Sequence, residues 1–571
     1  MASPKAHATA RSLTAVSSLV LLGVALFAAC GDDGGAGSES VGNGAGGGDG
    51  GGKSSGKGGN DGDGGGSGIT VNVSAGTGTG GGQLIGDPKT CEQAATAKTY
   101  LGCDFWPTVT ANQVWSIFDY AVVVANAGDE PATVTVERLG GTIATATIAP
   151  NGLEKIYLPW VPELKGPDFD ACTSVAPSSL TVRSPGGAYH LTSTVPVTVY
   201  QFSALEYGPQ GGPPGKDWSQ CPAQNCQGFE IPCFSYSNDA SLLLPSTALT
   251  NNYRVTGYPS WQEANLGAFI SVTGTEDNTL VTLLVAPFGG IQPGADIPAS
   301  GGGGQVNFNI NRGEVVQLMA TVPGDLSGSL VQSDKPIQVI HGLPCVNIPE
   351  GSPACDHIEE SVLPAETLGQ RYVVTRPTGP GGVAVNQIVR LVGNVNNTVL
   401  TYQGTPPPNA PPTLNAGQVF DLGQVSVDFE VTGDHEFAVS TFQLGASAIA
   451  SGELGDPAQS QSTAVEQYRT KYVFLAPSDY LVSFVDIVMP MTAQVTLDGA
   501  PLSVVPVALS SGYGVARAQL GAGNNGAHLL ESTEPVGIQV MGYGNYTSYQ
   551  YPGGLNLNVI APPPPPPPPP N

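Results

Sequence analysis

A unit of alternating apolar strands recurs along this chain, and no other feature restricts its fold so tightly. Each copy opens on an apolar strand, turns at Gly, Asn or Asp, runs through a V-T-[VL] strand and closes on S-x-x-P-[VI]-x-[VI]. The central strands are Val134-Thr135-Val136, Val281-Thr282-Leu283, the looser Leu400-Thr401-Tyr402, and Val495-Thr496-Leu497. Closing strands begin at Ser193 with Pro196-Val197, at Ser333 with Pro336-Ile337, and at Ser532 with Pro535-Val536; the third copy keeps Thr432 to Phe437 without the proline. In three copies a tyrosine followed within two residues by valine stands upstream, at Tyr253, Tyr372 and Tyr472. Proline lacks the N–H that a ladder uses, so it belongs at the first residue of a strand or on an edge.

Between these markers Val, Ile, Thr and Tyr alternate in short runs bounded by Gly, Pro, Asn and Asp, as in TVTVERLGGTIATATIAPNG, which predicts an all-β protein. Only TCEQAATAKTY, from Thr90, reads as a short helix. The expected architecture is four tandem antiparallel β-sandwich-like units at 89–235, 236–356, 357–462 and 463–560. Each matches one sandwich of roughly 100 residues and exceeds a propeller blade of about 40–50. A ring-closed, propeller-like β assembly of the same units is the alternative.

The flanks read differently. Lys5 and Arg11 precede an apolar run from Leu19 to Leu26, and Phe27-Ala28-Ala29-Cys30 resembles a bacterial lipobox. Residues 1–29 are therefore expected as a signal peptide and Cys30 as a lipidated mature N-terminus, with plain secretion as the alternative. Several acyl chains would anchor the protein stably, at about 0.8 kcal/mol per buried methylene. No later segment approaches the roughly 20 apolar residues of a transmembrane helix. Residues 30–88 are glycine-rich, with almost nothing to bury, and are expected as a disordered tether. Within them Gly52-x-Ser54-x-Gly56 matches a hydrolase motif without the strand and helix that motif requires. Residues 561–571 form a polyproline tail, read as a stiff spacer.

Removing Lys5 and Arg11 leaves 18 basic residues against 46 acidic ones, which argues against nucleic acid as a partner. Apart from Cys30 the chain has eight cysteines, Cys91, Cys103, Cys172, Cys221, Cys226, Cys233, Cys345 and Cys355. An even number in an exported chain points to disulfides, although eight cysteines allow about a hundred connectivities. Proximity favours Cys91 with Cys103 and Cys345 with Cys355, and groups Cys172 with the remaining three. Zinc is not expected, because that triplet lacks paired C-x-x-C spacing.

One stretch, CVNIPEGSPACDHIEESVLP from Cys345 to Pro364, concentrates ionisable residues. On a strand His357 and Glu359 share one face while Asp356 and Glu360 take the other. Two ligands on a face are too few for a closed metal site, and the adjacent Glu359 and Glu360 diverge rather than flank a substrate. No catalytic residues, metal or cofactor are therefore expected. The structural reading explains more: a disulfide-closed loop caps the second unit, and His357 with the glutamates enters the first strand of the third as an inter-unit joint. The five tryptophans all lie before residue 262, which makes units one and two the first place to look for a ligand surface.

The same stretch carries a resemblance. Asp356-His357, Glu359, Glu360, Pro364, Gly369 and Tyr372-Val373 resemble a D-H-x-x-E-x-x-P-x-x-x-x-G-x-x-Y-V segment of the IgGFc-binding protein N-terminal domain family. The S-x-x-P-[VI]-x-[VI] strands are similar to that family's recurring strands. Cys103-Asp104-Phe105-Trp106 with Trp115-Ser116-Ile117-Phe118 looks like the start of exported bacterial members. The resemblance spans about residues 90 to 555 and implies an extracellular or cell-surface protein without assigned catalytic residues. The expectation is a surface-anchored lipoprotein of the bacterial envelope that binds or adheres to an extracellular protein or glycan and touches the membrane only through lipid. A secreted carbohydrate-active or other hydrolase and a passive envelope protein are the alternatives.

Overall fold

The computed structural model describes residues 87–168, 180–226, 229–521 and 526–566. The expected signal segment, Cys30, almost all of the tether, Cys172 and the last prolines lie outside these residues. The predicted helix is present at Cys91–Ala97: the Thr90 hydroxyl accepts from the Gln93 N–H while the Gln93 side chain reaches back to the Thr90 N–H, a reciprocal cap that satisfies two otherwise orphaned donors.

The S-x-x-P motif is the corner at which one strand passes from one sheet of a unit to the other. In the second unit Leu330–Ser333 joins a sheet with Asn252–Arg254, Thr279–Leu284 and Gln305–Ile310. Beyond Pro336, Ile337–Val346 joins the facing sheet with Phe269–Gly274, Val315–Met319 and Asp356–Ser361. Tyr253, Val272, Val281, Ile310 and Val339 fill the space between the two sheets. The Ser333 hydroxyl donates to the Lys335 carbonyl at 2.6 Å and Ser193 to Val195 at 2.7 Å, holding the bend where proline can make no ladder bond. In the first and fourth units the corner strands, His190–Ser203 and Ala527–Gly544, run unbroken through the bend.

In the second, third and fourth units the upstream tyrosine buttresses the corner. Tyr253 donates to the carbonyl of Ile337 and accepts from the Thr250 N–H; Tyr372 does the same with Phe437 and Gly369, and Tyr472 with Val536 and Arg469. These contacts explain why tyrosine and the corner recur together.

Each two-sheet unit ends in a strand directed at one axis, Asp239–Leu243, Asp356–Ser361, Gln459–Gln461 and Thr547–Pro552, so the first two units run past the bounds expected at 235 and 356. These four axial strands pack against their neighbours in a closed circuit. Both architectures anticipated from the repeats therefore hold, as two-sheet antiparallel units arranged in a four-bladed, propeller-like ring. One expectation needs correction. Asp356–Ser361 pairs with Ile337–Val346 and completes the second unit's sheet, so His357 does not enter the first strand of the third.

Entry and exit of the ring adjoin. The Tyr100 N–H donates to the Leu555 carbonyl and the Leu557 N–H to Lys98, while the N–H groups of Ile560 and Ala561 share the Glu366 carbonyl. All of this lies at the end toward which the axial strands run, since Leu555 sits with Leu242, Ser361, Gln461 and Pro552 there. No helix of the described residues is long and apolar enough to cross a membrane.

Candidate binding face at the ring axis

On the axis a single carboxylate ties the four blades together. Asp239 Oδ1 accepts the N–H groups of Ala240 and Gln550 at 2.9 and 3.2 Å, and Oδ2 accepts those of Gln459 and Glu359 at 2.9 and 3.1 Å. Each axial strand thus gives one amide to the same side chain. Burial pushes the Asp239 carboxyl up, and the four N–H groups oppose that shift. Asp356 repeats the device nearer the strand starts, accepting from the Asn238 and Ser548 N–H groups and the Thr547 hydroxyl. Beside it Asp456 is fully buried with neither carboxylate oxygen hydrogen-bonded, and burial holds both carboxyls well above the usual range.

Asp356, His357, Glu359, Glu360, Pro364, Gly369 and Tyr372 are all buried, and the first four lie together on an axial strand. Glu359 Oε1 accepts from Gln201 at 2.8 Å and Ser241 at 3.3 Å, and Oε2 accepts from the Thr110 hydroxyl, all partners in the first blade. His357 Nε2 lies 3.4 Å from Glu359 Oε2, an ion-pair distance without hydrogen-bond alignment, and its ring stacks on Phe269. Burial drives the Glu360 carboxyl up, and its Oε2 has no partner. Pro364 accepts from the Thr367 hydroxyl, Gly369 serves the Tyr372 corner, and a Cβ on Gly369 would come 2.3 Å from Ala464 Cβ. Glu359 and Glu360 therefore line no open cleft. Among the described residues no group of three or more His, Cys, Asp or Glu could hold a metal ion.

The chain reaches the four axial strands through connections 204–238, 347–355, 444–458 and 545–546, all at the end of the ring away from entry and exit. They knit together there: Gly445 donates to the Ile348 carbonyl, Gly455 to Gly544, Tyr546 to Glu453, and the Asn545 N–H to the Tyr207 hydroxyl. Cys221–Cys233 and Cys345–Cys355 close loops within two of them, and Cys91–Cys103 ties the helix to the first blade. Cys226 is disulfide-bonded as well.

The first connection builds a charged cluster. Lys216 Nζ lies 2.6 Å from Asp119 Oδ2 and 3.0 Å from Glu206 Oε1, and 4.2 Å above the centre of the Trp218 ring. The Asp119 N–H donates to Glu206 Oε2 at 2.7 Å. Burial, with the Asp119 carboxylate beside it, pushes Glu206 up to about 8. Asp479, raised by burial, accepts the Tyr207 N–H next door. Of the tryptophans, Trp106 and Trp115 are buried, whereas Trp160, Trp218 and Trp261 are half-buried.

Sequence reasoning missed Asp239, Asp456, Glu206 and Lys216. Asp239 had a local signal, a lone acid heading the run Ala240-Ser241-Leu242-Leu243-Leu244, as Asp356 heads its own strand. Nothing local marks Lys216, whose partners come from 97 and 10 residues away.

The family model described as IgGFc binding protein matches residues 239–542, beginning at the axial Asp239. A human protein named IgGFc-binding protein is 24% identical over 339 residues, covering 57% of this chain and 6% of that protein's length. With more than half of its residues matched by the family model, the chain belongs to the IgGFc-binding protein family.

Proposed function

We propose that this chain is an extracellular, surface-anchored binding module whose ligand face is the end of the ring carrying the four connections. The observation that carries the reading is the separation of ends: entry and exit meet at one end of the axis, and the disulfide-closed connections meet at the other. Loops set on a rigid scaffold are where proteins place recognition, and disulfides fit an oxidising compartment. Lipidation at Cys30 would then hold the chain to the bacterial envelope through the glycine-rich tether, leaving the connection face free to meet a partner. The ligand class is an extracellular protein or glycan, and adhesion is the cellular consequence.

Protein and glycan arrays probed with residues 87–566 test this directly. Capture of a ligand that Trp218→Ala and Glu453→Lys weaken supports the reading. Binding indifferent to every change on the connection face refutes it. Immunoglobulin Fc, which the human relative's name gives as that protein's ligand, belongs on the array as one candidate among many.

A further inference from the structure

The segment Gly208–Lys216, GPQGGPPGK, arches over the Asp119 and Glu206 carboxylates and ends with Lys216 between them. Two backbone hydrogen bonds, Gly211 to Gly208 and Lys216 to Pro213, and one from the Trp218 indole to Gly211 hold it. Pro209, Gln210, Pro214 and Gly215 are exposed. Closure depends on glycine: a Cβ at Gly211 would come 2.7 Å from Asp479 Oδ2, and one at Gly212, where φ is +87°, 2.7 Å from Glu206 Oε1. Trp218, by contrast, packs on Phe118 with ring centres 5.1 Å apart, and its carbonyl accepts the Cys221 N–H, so it belongs to the fixed wall.

The Asp119 carboxylate and the Glu206 carboxyl beneath an ammonium, with an indole face beside it, make a primary-amine site, charge-assisted below and cation–π on the flank. We infer that Asp119, Glu206 and Trp218 form a receptor for a lysine side chain or other primary alkylammonium on the partner, and that Lys216 is its displaceable intramolecular occupant. The inference rests on the binding-face reading and names the chemistry of the ligand's anchoring group. An acidic chain with this cluster at its connection face suits a partner that presents lysine.

The test is titration of n-butylammonium into the full chain, read by melting temperature and tryptophan fluorescence. A tethered occupant competes at an effective concentration in the millimolar range, so Lys216→Ala should lower the half-saturating amine concentration by about tenfold or more. Gly212→Ala, which props the segment open, should do the same, and Lys216→Ala combined with Glu206→Gln should abolish the response. Lys216→Met keeps the apolar stem and replaces the alanine variant if that fails to fold. Equal responses in wild type and Lys216→Ala, or a response that survives Glu206→Gln, overturn the inference. The array result on the wild-type face is read independently, so either idea can fall alone.

Discussion

The carboxylate of Asp239 accepts the backbone N–H of Glu359 across 120 residues of sequence, and with that bond the first blade is fastened to the second. The third and fourth blades reach the same carboxylate from 220 and 311 residues away.

Asp239→Ala would leave four axial amides without their acceptor. A buried unsatisfied donor costs about 1–3 kcal/mol, so the variant should lose several kcal/mol in denaturant unfolding, with exchange protection falling together at Glu359, Gln459 and Gln550. A loss under about 1 kcal/mol would show that the strands are held by packing alone.

The tyrosine corners predict a smaller, local effect. Tyr372→Phe removes the hydroxyl that joins the Gly369 N–H to the Phe437 carbonyl, and should cost about 1–3 kcal/mol. Amide exchange should quicken at Gly369 and leave the equivalent positions beside Tyr253 and Tyr472 unchanged.

Gly342 faces the second axial strand so closely that a Cβ would lie 2.1 Å from the Ile358 carbonyl oxygen. A backbone atom within a ladder cannot step aside as a side chain can. Gly342→Ala should therefore cost at least the roughly 1–3 kcal/mol of overpacking, measured as a fall in unfolding midpoint, and a neutral outcome would mean that the strand is free to shift.

Asp486 supplies a pH test. Burial raises its carboxyl to about 6 although Thr378 donates to it through both N–H and hydroxyl. Its folded pKa exceeds the unfolded value, so the folded state holds more protons between about pH 4 and 6. Its contribution to stability is then greatest below that window and is lost as pH rises through it. Asp486→Asn should flatten the difference: relative to the variant, wild type gains on acidification from pH 6 to 4, by no more than about 3 kcal/mol, because one bound proton is worth about 1.4 kcal/mol per pH interval of one. Denaturation midpoints across that range would check the sign.

Much of this fold was legible because its signals are local. Alternation gave the strands, Pro196, Pro336 and Pro535 marked the corners, and twelve- and ten-residue separations brought Cys91 to Cys103 and Cys345 to Cys355. Alternation also placed His357 beside Glu359. The axis was hidden because its bonds join residues hundreds of positions apart, and a single strand's pattern cannot say which neighbour it will meet. The DHIEES strand completes the second unit rather than opening the third, and its side chains reach the first and fourth blades through Glu359 and Asp356, partners that its own pattern could not name. The Lys216 cluster was invisible for the same reason, since Asp119 precedes it by most of a domain.

The shared carboxylate also sets a schedule. A chain synthesised from its N-terminus delivers Asp239 311 residues before Gln550. Until that last amide arrives the ring cannot shut, however well the early blades have formed, and contacts this distant in sequence are the slow ones to find. Truncation just before Thr547 should accordingly leave a chain with folded corners and an unfastened centre.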